Sequence, residues 1–167
     1  MTAGLDRLWA GWRADFLAEV TGEAARSDDP ADCVLCRVLA DGGAVIWQGG
    51  RCGAVVNAYP YTAGHLMVLP LRHVGELEDV GAGEAAELWA AVADAVRAVK
   101  AAYRPDGINM GANLGRAAGA GVPGHFHVHL LPRWDGDTNF MTTVAEARVV
   151  PEALPVTLGR LRAAWPS

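Results

Sequence analysis

At 167 residues the chain is as long as one ordinary domain, and with 51% apolar and 20% charged residues it has the composition of a soluble globular protein with a real core. Its formal net charge of -5 speaks against a nucleic-acid partner, which needs a basic face, but leaves room for a small phosphate ligand in a pocket. No apolar run reaches the roughly 18–20 residues of a membrane span, and the first residues lack a secretory pattern, so no membrane partner and a cytoplasmic location are expected.

In chain order, Leu5, Leu8, Trp9, Trp12, Phe16, Leu17 and Val20 recur at helical spacing and predict a helix from Leu5 to Val20. The polar stretch from Thr21 to Asp32 reads as a loop. A short helix is expected over Val34 to Ala40, stopped by Asp41-Gly42-Gly43. Two β-rich runs, Ala44 to Gln48 and Gly53 to Tyr59, flank Gly49-Gly50-Arg51-Cys52 and read as a hairpin. A third strand, His65 to Pro70, follows the turn Pro60-Tyr61-Thr62-Ala63-Gly64. Leu88, Val92, Val96 and Val99 mark a long helix from Gly83 to Tyr103, ended by Arg104-Pro105-Asp106-Gly107. Another strand is expected from Ile108 to Leu114, then a glycine-rich stretch, then a strand from His125 to Pro132. A short helix around Pro155 to Ala164 closes the chain. Strands, a long helix and further strands predict an α+β fold with a mainly antiparallel sheet. The division expected is an N-terminal helical extension (1–32), a central domain (33–140) and a tail that packs on it (141–167).

The histidines carry the chemistry. In Gly124-His125-Phe126-His127-Val128-His129-Leu130-Leu131, three imidazoles alternate with apolar residues. Side chains alternate faces along a strand, so the three share one face while Phe126, Val128 and Leu130 share the other. Such a row suits nucleophilic or phosphate chemistry, and it also suits a catalytic zinc held by three imidazoles. Just before it, Gly115-Arg116-Ala117-Ala118-Gly119-Ala120-Gly121 has the small residues that let backbone amides approach phosphate oxygens, or simply those of a flexible loop. Lys100 is the only lysine, and no glycine-rich loop ends in Gly-Lys-Ser or Gly-Lys-Thr, so a P-loop is not expected.

His-Phe-His-Val-His-Leu-Leu resembles the signature of the histidine-triad family, and Asn57-Ala58-Tyr59-Pro60-Tyr61-Thr62-Ala63-Gly64-His65-Leu66-Met67-Val68-Leu69-Pro70 resembles that family's second hallmark. The likeness runs from about Cys33 to Phe140. Leu8-Trp9 with Arg13, and Pro132-Arg133-Trp134 with Asn139-Phe140, resemble an actinobacterial branch that includes diadenosine tetraphosphate phosphorylases. The resemblance implies a histidine-triad fold, a homodimer, and a nucleotidyl hydrolase or transferase acting at the α-phosphate of an adenine nucleotide or dinucleoside polyphosphate. It makes His127 the nucleophile, with His129 on the phosphate or leaving group and His125 completing the triad. It places Asn57, which by itself also reads as a turn residue at a strand end, on the ribose hydroxyls, Asn113 near the phosphates, and Gly119, Ala120 and Gly121 in the phosphate loop, while His65 either lines the site or satisfies a backbone carbonyl. A non-catalytic nucleotide-binding protein is the alternative from another class.

In the phosphorylase branch a Gly-Ser pair precedes the triad by four to five residues. Here Ala120 and Gly121 stand there, so phosphorolysis is not expected to be the main reaction. Three cysteines, Cys33, Cys36 and Cys52, are too few and too unevenly spaced for a disulfide framework. Cys33-Val34-Leu35-Cys36 has zinc-knuckle spacing, which alone also fits two half-buried cysteines on a short helix. The resemblance completes the set with His73 and His125 and implies a structural zinc.

Overall fold

The computed structural model describes residues 29–137 and 152–166. The helix expected from Leu5 to Val20, with Leu8, Trp9 and Arg13, and the Asn139-Phe140 pair lie outside the described residues.

Helix α1 spans Val34–Asp41 and ends at Gly42, whose φ of 71° is the left-handed conformation that glycine adopts without a Cβ penalty. Strands β1 (Val45–Gln48) and β2 (Cys52–Val56) form the expected hairpin, with an irregularity between Val45 and Trp47. Strand β3 (Leu66–Pro70) follows, then α2 (Ala82–Tyr103), β4 (Gly107–Gly111), β5 (Val128–Arg133) and α3 (Leu154–Ala164). The sheet order is β1-β2-β3-β5-β4, and every neighbouring pair is antiparallel.

Three strand boundaries differ from the sequence reading by three residues, each for a hydrogen-bonding reason, and the others by at most one. Strand β2 ends at Val56, because the Asn57 N–H turns to the His65 carbonyl at 3.1 Å and closes the loop. Strand β4 stops at Gly111, where its pairing with His129 ends. Strand β5 begins at Val128, so His125 and His127 precede the ladder; there the Phe126 N–H reaches the Val74 carbonyl at 2.6 Å.

Alternation along β2 and β3 explains why both strands are buried throughout. One face presents Ala54, Val56, Leu66 and Val68, with Phe126, Val128 and Leu130 beside them, to Leu88, Ala91, Val92, Ala95 and Val99 of α2. The i, i+3, i+4 spacing sets that helical stripe, and its alanines let helix and sheet approach closely. Burying Leu88 alone stabilises the fold by roughly 1.5–3 kcal/mol. The other face sends Val55, Met67 and Leu69 against Leu35 and Leu39 of α1. Helix α3 joins the α2 side through fully buried Leu161, and Trp165 stacks on Trp47 with ring centroids 5.5 Å apart. Among the described residues, no helix is long and apolar enough to cross a membrane.

Candidate active and metal sites

The histidines lie on the sheet face opposite α2. Met67 of β3, which packs toward α1, is the register partner of His129. Phe126, Val128 and Leu130 anchor the alternate positions in the main core, which holds the intervening imidazoles in place.

His127 is 6% exposed, and its Nδ1 lies 2.7 Å from the His125 carbonyl oxygen. A carbonyl can only accept, so Nδ1 carries the proton and Nε2 keeps its lone pair. Burial lowers the His127 pKa, with the carbonyl bond acting in the opposite direction. Its ring meets His129 edge-on, with centroids 4.8 Å apart.

His129 is part of a second arrangement. The Tyr61 N–H donates to His65 Nδ1 at 3.1 Å, and His65 Nε2 lies 3.0 Å from His129 Nδ1. With Nδ1 of His65 accepting, its neutral ring carries the proton on Nε2 and donates it to His129. That leaves His129 with an N–H at Nε2. Burial pushes His65 down to about 3, with His129 and His127 adding to the shift. Burial, then His127, pushes His129 down to about 4. The cluster is therefore neutral near pH 7.

Asn57 accepts the Tyr59 N–H through Oδ1 at 2.9 Å, and its Nδ2 sits 3.3 Å from His65 Nε2. Both of these nitrogens bear hydrogen, so their contact is a meeting of two donors, and the Asn57 amide still has hydrogens to give. Asn113 is not brought against the imidazoles by any direct bond; its Nδ2 donates to the Gly119 carbonyl at 3.2 Å and clamps the glycine-rich loop. Within that loop the Gly119 amide donates to Arg116 and the Ala120 amide to Gly115, while Ala120 is 3% exposed. Gly121 is half-buried between the loop and the triad segment.

Cys33, Cys36, His73 and His125 converge as a separate group, with one ligand atom from each lying within 4.8 Å of the others. His125 Nδ1 is 3.4 Å from both sulfurs, and His73 Nδ1 is 3.5 Å from Cys36 Sγ. His125 Nε2 donates to the Pro70 carbonyl at 2.9 Å, which leaves Nδ1 as the lone-pair atom facing the thiols. Burial and the neighbouring Cys33 push the Cys36 thiol up to about 11. A divalent cation would reverse that shift, and two thiols with two imidazoles suit Zn²⁺. The residues present fit the metal.

Sequence reasoning missed the backbone groups that aim these rings: the carbonyls of His125, Pro70 and Val74 and the N–H of Tyr61. Every residue carries such groups, so no residue type signals them.

Fold and site together define an α+β protein whose chemistry-bearing groups are neutral imidazoles on the face of an antiparallel sheet opposite its long helix. The HIT domain profile matches residues 42–136, and the chain belongs to the histidine-triad family, whose nucleotidyl hydrolases and transferases are its enzyme class. It is 42% identical over 165 residues to a Mycobacterium tuberculosis protein named AP-4-A phosphorylase, covering 96% of this chain and 85% of that one. A zinc-bound histidine-triad protein from Mycobacterium smegmatis superposes with a TM-score of 0.67 at 27% identity, covering 81% of this chain and 94% of that one. A Sulfolobus tokodaii protein described as a hypothetical histidine-triad nucleotide-binding protein gives the same TM-score at 26% identity, covering 79% of this chain and 91% of that one.

Proposed function

We propose that His127 attacks the α-phosphorus of a dinucleoside polyphosphate or adenine nucleotide and forms a nucleotidyl-histidine. The observation that carries this reading is the 2.7 Å bond from His127 Nδ1–H to the His125 carbonyl, which leaves Nε2 as a neutral nucleophile. The Nε2–P bond forms as the bond from phosphorus to the bridging oxygen breaks. A polyphosphate departs as a stable anion and needs no proton. His129 donates its Nε2–H to a phosphate oxygen and stabilises the charge there. Water, phosphate or another acceptor then attacks phosphorus and returns His127 to its starting state. The spare Asn57 amide hydrogens suit ribose hydroxyls. Asn113 holds the loop from Gly119 to Gly121 in position beside the phosphates.

Cys33, Cys36, His73 and His125 hold one structural Zn²⁺, which ties α1 to the segment before β5. A second copy of the chain adds to the sheet at β4, an edge strand largely exposed, with Met110 52% exposed on it. Residues 33–140 form the catalytic unit, and thiols kept for metal suit the reducing cytoplasm.

A second reading, phosphorolysis of diadenosine tetraphosphate, is favoured by the 42% identity to the protein named AP-4-A phosphorylase. Against it stands Gly121, which offers no hydroxyl to an attacking phosphate. Incubating the enzyme with diadenosine tetraphosphate, with and without millimolar phosphate, separates the two. AMP plus ATP in both supports hydrolysis; ADP plus ATP formed only with phosphate establishes phosphorolysis. Mass spectrometry of the quenched enzyme should find AMP on His127. His127→Ala should lower turnover by several orders of magnitude while remaining folded. A variant that keeps a tenth of wild-type turnover refutes the nucleophile.

A further inference from the structure

We infer that metal occupancy of the Cys33, Cys36, His73 and His125 set positions His127, through a single peptide group that the two sites share. The inference rests on the proposed reading of both sites and adds a coupling between them.

The peptide group joins His125 to Phe126. Its carbonyl accepts the His127 Nδ1–H at 2.7 Å, and its N–H donates to the Val74 carbonyl at 2.6 Å. The two segments that hold this plane each carry a metal-set imidazole immediately before the bonded residue: His125 before Phe126, and His73 before Val74. The His125 ring is fully buried, with Nδ1 3.4 Å from both sulfurs and Nε2 on the Pro70 carbonyl at 2.9 Å. The segments also pack unusually closely beyond these ligands. A Cβ at Gly75 would lie 3.1 Å from the Pro123 carbonyl oxygen and 3.3 Å from Gly124 Cα.

A metal ion bonded to both imidazoles thus ties together the two segments that set the tilt of this plane. That tilt decides where His127 Nε2 points. Without the ion, the plane keeps its hydrogen bonds but loses the bridge between the segments. A misplacement of about 1 Å at a reacting atom can cost on the order of a hundredfold in rate, so a small rotation has a kinetic consequence. Because the nucleophile is reoriented and the nucleotide pocket is not, the effect should fall on kcat and spare KM.

The test uses the full ¹⁵N-labelled chain, with zinc bound and after chelation, and follows solvent exchange of the His127 Nδ1 proton. Chelation, and separately His73→Ala, should speed that exchange at least tenfold and lower kcat about tenfold with KM unchanged. Adding zinc back to the chelated protein, or making His73→Cys so that a ligand is kept, should restore both. If chelation or His73→Ala lowers only thermal stability, with exchange and kcat unchanged, the metal is purely structural and the inference is wrong. A chain that takes up no zinc also overturns it. Exchange is read without substrate, so a nucleophile reading that fails, with His127→Ala still turning over, is distinguishable from a coupling that fails.

Discussion

His65 Nε2 and His129 Nδ1 meet at 3.0 Å, and the Tyr61 N–H on the far nitrogen of His65 allows the neutral pair only one proton arrangement. His65 is accordingly a positioning residue that keeps a proton on the outward nitrogen of His129. His65→Ala should lower kcat by roughly two- to tenfold, the weight of one neutral hydrogen bond. His65→Gln keeps an N–H donor and should retain most of the rate. Steady-state kinetics on diadenosine tetraphosphate check this, and equal loss in both variants would remove the proton argument.

The same pair makes stability sensitive to acid. His65 is held at about 3 and His129 at about 4, against 6.5 in the unfolded chain. Between those values the unfolded state binds more protons, so stability is full above about pH 6.5 and is lost as pH falls toward 4. The midpoint of thermal unfolding should drop by on the order of 10 °C from pH 7 to pH 5. The drop should be smaller in His65→Gln, which does not titrate. Differential scanning calorimetry of both proteins decides it, and parallel curves would count against the buried pair.

Metal analysis gives a third test. Protein purified without added metal should carry about one Zn²⁺ per chain, and Cys33→Ser should carry much less. Losing the ion should lower the unfolding midpoint by on the order of 10 °C, because metal binding contributes to folding free energy. A metal-free wild type as stable as the zinc-loaded protein would end the assignment.

Acceptor choice is expected to turn on one hydroxyl. Gly121 is not among the glycines with positive φ, so serine fits its backbone without strain. A hydroxyl bonded to a charged acceptor contributes about 1.5–3 kcal/mol. Gly121→Ser should therefore raise phosphate-dependent formation of ADP by roughly ten- to a hundredfold. Product analysis across a phosphate titration measures it, and an unchanged ratio of ADP to AMP would show that the loop backbone already binds phosphate.

Helix α3 is expected to be part of the folding unit. Leu161 is fully buried against the main core, so Leu161→Ala should destabilise by roughly 2–5 kcal/mol in urea unfolding. A loss under about 1 kcal/mol would mean that α3 is only loosely attached.

What the sequence alone determined was periodic or compositional. Alternating His125, His127 and His129 sorted the imidazoles from Phe126, Val128 and Leu130, since side-chain direction along an extended chain follows from the backbone period. The stripe from Leu88 to Val99 marked α2 for the same reason, at helical period. Resemblance supplied His73 for the two-cysteine set, because the pairing of residues far apart in the chain has no local signature. Only tertiary structure decided which carbonyl aims which ring. It began the β5 ladder only at Val128, turned Phe126 to Val74, set the His125 carbonyl on His127, and turned Asn113 onto Gly119. Those are backbone bonds or backbone acceptors, identical in kind at every residue, so their partners are fixed by how the segments pack.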